Sequence, residues 1–201
     1  MKGKFIVLEG LDGCGKTTQG NMLKAYLEEK GQRVLFSREP GGTILSERLR
    51  EIILDKNVTD MHPLTELYLY AASRCQLVHQ LIKPAIEEGQ TVILDRFLLS
   101  SIAYQGYGRE LGEDTVKTVN AIAIGDLKVD LTILFDMKRR EDRLRGERDR
   151  IELASQEFFS RVYEGYMTAY DKDNTLVVDG TMAIEEISKI IIERVSELLN
   201  E

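Results

Sequence analysis

The feature that most constrains this 201-residue chain is a glycine-rich segment near its start, with the sequence GLDGCGKT at residues 10–17. It matches the pattern G-x-x-x-x-G-K-[ST] in full, and it stands between an apolar run at residues 5–8 and a helical pattern. Strand, glycine loop and helix in this order form a phosphate-binding loop. The alternative, a chance glycine turn before a helix, requires neither the lysine nor the threonine. The sequence therefore predicts a nucleoside triphosphate site.

Each residue type in this loop has a chemical reason. Glycine at positions 10, 13 and 15 permits positive φ angles and lets backbone N–H groups approach phosphate oxygens. The helix that follows adds its unpaired donors and the positive end of its dipole. Lys16 can reach the β- and γ-phosphates, and the Thr17 hydroxyl can bind Mg²⁺. The predicted ATP-binding residues are Gly10, Leu11, Asp12, Gly13, Cys14, Gly15, Lys16, Thr17 and Thr18.

Charge and cysteine content narrow the class of protein. With 27 basic against 34 acidic residues, the net charge of -7 argues against a general nucleic-acid binder. Two cysteines give no disulfide framework, which favours a reducing, cytoplasmic setting. We find no signal peptide and no apolar run long enough to span a bilayer, so no membrane partner is expected. The length fits one domain over residues 1–201.

Strand and helix patterns alternate along the chain. The predicted strands lie at residues 5–8, 34–36, 91–94, 131–135 and 176–178. The predicted helices lie at residues 16–30, 63–88 (bent near Pro84), 98–104, 113–124, 155–170 and 184–199, with another that carries Leu45, Leu49, Ile52 and Ile53. This alternation predicts an α/β fold whose parallel sheet is covered by helices on both faces. Ligands of such sheets bind beyond the carboxyl ends of the strands, where Arg38, Asp95 and Asp136 follow.

Two acidic positions near these ends have open alternatives. Asp12 either faces a ligand group such as a sugar hydroxyl or serves ordinary Asp-Gly turn chemistry. Asp95 is placed to be a second ligand of Mg²⁺, and Arg96 beside it could make a bidentate hydrogen bond to a phosphate. The alternative for this pair is a helix-capping aspartate followed by an arginine that faces solvent. Arg38 and Glu39 pose the same choice.

The segment 138–152 holds six arginines among four acids between Arg139 and Arg150. It could be an exposed helix with i,i+4 ion pairs. We favour a mobile lid, because Gly146 interrupts the helix and the phosphate loop has no basic residue besides Lys16. An arginine that neutralises the transferred phosphoryl group is worth ~10³–10⁵ in rate. The candidate lid arginines are Arg143, Arg145 and Arg148.

Polar and aromatic side chains suited to a nucleobase occur in two places. Tyr70 and Arg74 are four residues apart, so they share one helix face as a stacking surface and a donor. A half-buried tyrosine covered by an arginine stem is the alternative. Ser101, Tyr104 and Gln105 follow the strand that ends at residue 94 and could hydrogen-bond a base.

Taken together, these segments resemble the thymidylate kinases, a family of nucleoside monophosphate kinases, over essentially the whole chain. The resemblance rests on the phosphate loop with its acid at Asp12 and on the segments REPGGT (38–43), YAASR (70–74), DRF (95–97), SSIAYQG (100–106) and RDRIE (148–152). It implies the phosphate-loop nucleoside monophosphate kinase fold, ATP as donor, dTMP as acceptor and a homodimer. Some members carry a phosphate-loop arginine where Gly13 stands here, so the chain is similar to the subtype with lid arginines.

The resemblance also implies residue roles. Asp12 would hold the 3′-hydroxyl of the acceptor sugar, and Tyr104 would crowd its 2′ position. The implied dTMP-binding residues are Asp12, Arg38, Glu39, Pro40, Arg50, Tyr70, Arg74, Arg96, Ser101, Tyr104 and Gln105. Those expected to take part in catalysis are Lys16, Arg96, Asp95, Asp12, Arg143, Arg145 and Arg148, with Thr17 and Asp95 for the cofactor Mg²⁺.

The expected reaction is in-line transfer of the ATP γ-phosphoryl group to a 5′-monophosphate oxygen, which gives ADP and dTDP. A deoxynucleoside kinase is the nearest rival, but its neutral hydroxyl acceptor needs a base and fewer arginines than Arg38, Arg50 and Arg96 supply. A GTPase would carry an Asn-Lys-x-Asp motif, which the sequence lacks. A non-catalytic nucleotide-binding regulator would not need Lys16, Thr17 and Asp95.

Overall fold

The computed structural model describes residues 3–138 and 148–200. Within them, five strands form one sheet in the order β2-β3-β1-β4-β5, and every neighbouring pair is parallel. The strands are β1 (Phe5–Glu9), β2 (Val34–Arg38), β3 (Thr91–Asp95), β4 (Leu131–Asp136) and β5 (Thr175–Asp179). The predicted α/β class with a five-stranded parallel sheet is confirmed.

Helices follow the strands as the alternation predicted. They are α1 (Lys16–Glu29), α2 (Ile44–Leu54), α3 (Pro63–Leu77), α4 (Lys83–Glu87), α5 (Leu98–Ser101), α6 (Glu113–Ile124), α7 (Gln156–Ala169) and α8 (Ile184–Asn200). Two π-helical turns, Val78–Ile82 and Ile102–Gly108, follow α3 and α5. The first ends two residues before Pro84, where a regular helix would lose a backbone hydrogen bond. No described helix is both long enough and apolar enough to cross a lipid bilayer.

The central strand β1 explains why the sheet is covered on both sides. Its alternate residues Ile6 and Leu8 pack with apolar residues of α1 and α8. Its other residues, Phe5 and Val7, pack with the turn Val78–Ile82 and with α4. A strand buried on both faces requires a continuous apolar run, which is the pattern at residues 5–8.

Candidate active site

Three loops meet at one edge of the sheet because their strands end in register. Leu8 of β1 pairs with Asp95 of β3, and Arg38 of β2 pairs with the same aspartate from the other side. The phosphate loop therefore begins beside Asp95 and Arg96. Chemistry-bearing residues far apart in sequence lie together at the carboxyl ends of β1, β2 and β3, as expected for a sheet of this class.

The phosphate loop adopts the backbone that its glycines permit. Gly10, Gly13 and Gly15 have φ angles of 140°, 79° and 98°. A Cβ atom on Gly10 would lie 2.9 Å from the carbonyl oxygen of Phe135, so this position also demands glycine for space. Helix α1 begins directly after Gly15, which directs its unpaired N–H groups into the loop.

Lys16 lies folded into its own loop. Its Nζ donates to the carbonyl oxygens of Gly10 and Leu11, each at 2.9 Å, and lies 3.7 Å from Cys14 Sγ. The side chain is 6% exposed. Gly10 and Leu11, predicted to bind ATP, line neither of the clefts described below; they contact the lysine that does.

Thr17 and Asp95 form the pair that could hold a cation. The Thr17 hydroxyl donates to Asp95 Oδ2 at 2.9 Å. Asp95 Oδ1 is buried and has no hydrogen-bond partner among the described residues. The described part of the chain holds no group of three or more His, Cys, Asp or Glu side chains that could by itself bind a metal ion. An unpartnered carboxylate oxygen beside a hydroxyl fits Mg²⁺, which takes one or two protein ligands and completes its shell with phosphate oxygens and water.

The Arg96 guanidinium is held on two sides. Its Nη2 donates to Asp12 Oδ1 at 2.6 Å and to the Tyr104 hydroxyl at 3.3 Å. Its Nη1 donates to the Tyr166 hydroxyl at 2.8 Å and to Ser100 Oγ at 3.2 Å. The residue has a φ of 73°, which non-glycine residues rarely adopt. Such strain persists where surrounding contacts enforce it, often at functional sites.

Asp12 is the counter-ion of Arg96. Burial favours its neutral form, but the charges of Arg96 and Lys16 outweigh this and hold the pKa of Asp12 well below its ordinary value. The Tyr104 hydroxyl also donates to Asp12 Oδ2 at 3.2 Å. The sequence left a choice between a ligand contact and turn chemistry for Asp12; an ion pair across the site was not among the alternatives.

Glu9 supports the loop after β3 and was not among the residues predicted from the sequence. It is 1% exposed and accepts hydrogen bonds from the backbone N–H groups of Phe97 (2.8 Å) and Ser100 (3.2 Å). The Ser100 hydroxyl donates to its Oε2 at 2.5 Å. Burial raises the pKa of Glu9, against the lowering effects of Ser100 and Arg96. An acidic residue at the end of an otherwise apolar strand was the available signal, and its carboxylate orders the loop that carries Arg96.

The Arg74 side chain is almost wholly engaged with the protein. It is 1% exposed, and its Nε donates to Glu39 Oε2 at 2.8 Å. Its Nη1 donates to Asn120, and its Nη2 donates to Ser101 Oγ and the Phe97 carbonyl oxygen. Burial raises the pKa of Glu39 to about 7; the Arg74 charge opposes this shift and the nearby Glu9 adds to it.

We expect Glu39 to make the free energy of unfolding depend on pH. Its pKa of about 7 in the folded state exceeds its value of 4.5 in the unfolded chain, so the folded protein binds this proton more tightly. Stability should therefore fall as pH rises from about 4.5 to about 7, by roughly 1–3 kcal/mol from this group. Denaturant unfolding of Glu39→Gln between pH 5 and 8 should show a flatter profile. The exposed Glu51→Gln is the control, and an equal slope in Glu39→Gln and wild type would contradict the expectation.

Two clefts open at this edge of the sheet and share one wall. The smaller, with an empty volume of about 540 Å³, is lined by Asp12, Glu39, Pro40, Arg50, Leu54, Tyr70, Arg74, Arg96, Phe97, Ser100, Ser101, Tyr104, Gln105, Asp149 and Ile151. The larger, of about 1720 Å³, is lined by Asp12, Gly13, Cys14, Gly15, Lys16, Thr17, Thr18, Gln19, Arg38, Glu39, Arg50, Asp95, Arg96, Glu152, Gly180, Met182, Ile184 and Ile187. The shared wall consists of Asp12, Glu39, Arg50 and Arg96. We call these the base cleft and the phosphate cleft.

The remaining predicted residues are placed as follows. Arg38 Nη2 donates to Glu47 Oε2 at 2.9 Å, and Arg50 Nη1 donates to the Pro40 carbonyl oxygen at 3.0 Å. Arg148 is exposed and lines neither cleft. The other lid candidates, Arg143 and Arg145, lie outside the described residues.

Comparisons with known proteins agree with one another. A family model described as Thymidylate kinase matches residues 8–191. A thymidylate kinase of Thermoanaerobacter sp. (strain X514) is 47% identical, covering 99% of this chain and 100% of the relative. One of Caldanaerobacter subterraneus subsp. tengcongensis is 44% identical over 99% and 98% of the two chains, and one of Idiomarina loihiensis is 41% identical over 99% and 100%.

Proposed function

Because this chain belongs to the thymidylate kinase family, we propose that its two clefts hold the two substrates of that reaction. The chain is an ATP-dependent phosphotransferase that transfers the γ-phosphoryl group of ATP to dTMP, giving dTDP and ADP. We assign the triphosphate to the phosphate cleft and the nucleoside of dTMP to the base cleft. The shared wall carries this assignment, since in-line transfer requires both phosphates to meet at one place.

Charge neutralisation is the main task of the side chains. The new bond joins a dTMP phosphate oxygen to the γ-phosphorus, and the bond to the β–γ bridging oxygen breaks, so ADP leaves with that electron pair. The acceptor oxygen is anionic at neutral pH, so no general base is needed. We propose that Arg96, Arg50 and Arg38 hold the acceptor phosphate while Lys16 follows the transferred group. Fixed charges that need no reorganisation stabilise such a transition state most effectively.

We propose that Thr17 and Asp95 hold the Mg²⁺ that accompanies ATP. The bound ion would supply positive charge that neutralises the phosphates of ATP. Two observations support this. Asp95 Oδ1 is buried and has no hydrogen-bond partner among the described residues, and the Thr17 hydroxyl donates to Oδ2 of the same carboxylate. Thr17 is the second residue of α1 and lines the phosphate cleft, so its hydroxyl lies where the phosphates would enter.

For dTMP, we propose that the ring of Tyr70 stacks on the base and that Arg74, Ser101 and Gln105 face its edge. All four residues line the base cleft. The sugar would lie toward Asp12, which belongs to the shared wall, and Tyr104, which is 6% exposed and lines the base cleft. The lid at 138–152, with the arginines Arg143, Arg145 and Arg148, stays a prediction, as does a single domain spanning residues 1–201.

We also propose a homodimer that works in the cytoplasm. Large apolar side chains are exposed on α2, α3 and α6, and α3 packs against both other helices. These side chains are Ile44, Leu45, Ile52, Tyr68 and Ile122. Covering them with a second copy would remove apolar surface from water. Free thiols at Cys14 and Cys75 suit a reducing compartment.

A coupled ADP-release assay tests the substrate assignment. With ATP and Mg²⁺, we expect turnover with dTMP well ahead of dUMP, dCMP and AMP. Turnover with thymidine alone would move the acceptor from a phosphate to a hydroxyl and would require new roles for the arginines. ATP binding without turnover on any acceptor would overturn the assignment.

A further inference from the structure

Glu66 is a buried carboxylate that the proposed chemistry does not use. It lies in the first turn of α3, is 1% exposed and accepts hydrogen bonds from three side chains. Arg109 Nη2 lies 3.1 Å and Arg150 Nη2 lies 2.7 Å from its Oε2, and Gln105 Nε2 donates to its Oε1 at 2.8 Å. Burial opposes ionisation, but the charge of Arg109 and the hydrogen bonds from Arg109, Gln105 and Arg150 outweigh it and lower the pKa of Glu66. The carboxylate is therefore ionised and can only accept.

This contact determines how the Gln105 carboxamide is oriented. A glutamine can offer either an oxygen acceptor or an NH₂ donor to a ligand, and the two ends have nearly the same shape. With an ionised carboxylate as neighbour, the end that contacts Glu66 must be the NH₂ group. Gln105 is 1% exposed and lines the base cleft, so it has little room to turn. The group that it can offer to the cleft is its carbonyl oxygen.

We propose that Glu66 is a specificity-determining positioning residue, which holds the Gln105 carboxamide so that the base cleft accepts a hydrogen bond from N3–H of the pyrimidine. This inference rests on the proposed function of the cleft. The N3–H group is the only hydrogen-bond donor on the thymine ring, and cytosine has a lone pair at the same position. A cytosine ring in the same register would place this lone pair against the Gln105 oxygen. A site discriminates strongly against a substrate whose binding would leave one of the site's buried polar groups unpaired.

The arrangement also explains what this contact cannot distinguish. Thymine and uracil both carry N3–H, so Glu66 and Gln105 should contribute nothing to the choice between them. Arg74, which only donates, lines the same cleft and is held by contacts that do not involve Glu66. A change at Glu66 should therefore alter one kind of selectivity and leave the other intact.

The test measures kcat/KM of Glu66→Gln for dTMP, dUMP and 5-methyl-dCMP. The last substrate keeps the methyl group of dTMP and changes only N3 and the C4 substituent. Arg74 is present in both wild type and variant, so any preference of Arg74 for one C4 substituent affects both ratios equally and cancels when they are compared. A neutral amide at position 66 can donate as well as accept, which frees the Gln105 amide to turn. We expect the dTMP to 5-methyl-dCMP ratio to fall at least about tenfold, while the dTMP to dUMP ratio stays within twofold.

A double-mutant cycle separates positioning from general damage. In the Gln105→Leu background, Glu66→Gln should leave the dTMP to 5-methyl-dCMP ratio unchanged, because the group through which Glu66 acts is gone. Glu66→Gln removes the counter-ion of Arg109 and Arg150. If this variant does not fold, the double variant Glu66→Gln/Arg109→Gln is used in its place, because it also removes one of the two unpaired charges. The control is Glu110→Gln, a surface carboxylate paired with Arg161.

Three outcomes would overturn the inference: an unchanged ratio in folded Glu66→Gln, an equal loss of both selectivities, or the same shift in the Gln105→Leu background. Each leaves the proposed function standing as long as the wild-type protein phosphorylates dTMP. Absence of wild-type turnover with dTMP would instead remove the proposed function itself.

Discussion

Replacing Arg96 by alanine is expected to lower kcat on the order of 10³-fold with the fold intact. The guanidinium belongs to the shared wall of both clefts and is fixed by Asp12 on one side and Tyr166 on the other. Its charge is therefore in place before the substrates meet, and a preorganised charge contributes more to the transition state than a mobile one. Steady-state kinetics with dTMP and ATP measure the loss, and near-normal turnover would remove Arg96 from the mechanism.

The backbone at this position offers a matched comparison. Because Arg96 has a φ of 73°, glycine should fit there without strain, whereas alanine keeps the cost. Arg96→Gly should be as inactive as Arg96→Ala but more stable by about 1 kcal/mol in denaturant unfolding. Arg161→Ala, which removes an arginine bonded to the Gly108 carbonyl oxygen, is the control for loss of a tethered guanidinium. Equal stability of the two Arg96 variants would contradict the proposed strain.

The order of elements and the location of the site could be predicted from the sequence because both depend on local patterns. The apolar run at residues 5–8 became β1, which extends one residue further to Glu9. The pattern at 34–36 became β2, which continues to Arg38 and so places that arginine in register with Asp95. The period of the apolar residues shows which faces are buried, but it leaves the ends of strands and helices uncertain by a few residues.

The pairing of charged side chains could not be predicted, because it depends on contacts between distant segments. Glu66 meets Arg150 across 84 positions of sequence, and Arg96 meets Tyr166 across 70. No spacing rule connects such residues, since the register of the sheet and the packing of α3 and α7 bring them together. Arg74, expected to be a donor for the base, proved to donate first to Glu39, which no pattern in the sequence suggested.

Residues 149–152 are described residues of the predicted lid segment, 138–152, and three of them line the clefts. Arg150 Nε donates to the Ile53 carbonyl oxygen at 2.8 Å, and its Nη2 donates to Glu66. Asp149 and Ile151 line the base cleft, and Glu152 lines the phosphate cleft. Residues 149–152 are thus anchored at both clefts.

Lys16 is the second residue whose replacement should nearly abolish activity. Its ammonium group is held by the Gly10 and Leu11 carbonyl oxygens inside a loop whose N–H groups would surround the phosphates. Carbonyl oxygens are weak partners for an ammonium compared with phosphate, because they carry no net charge. Lys16 can therefore exchange these contacts for contacts with the β- and γ-phosphates, and no salt bridge among the described residues has to be broken for this.

We expect Lys16→Met to lower kcat on the order of 10³-fold or more, since a methionine of similar length removes the charge that follows the phosphoryl group. Lys16→Arg should be almost as inactive, because a planar guanidinium does not fit a compact site shaped by two carbonyl oxygens. Lys24→Met, on the exposed part of the same helix, is the control. The chain has no tryptophan, so ATP binding is best followed by titration calorimetry. If kcat of Lys16→Met lay within tenfold of wild type, the charge at this position would not act on the transition state.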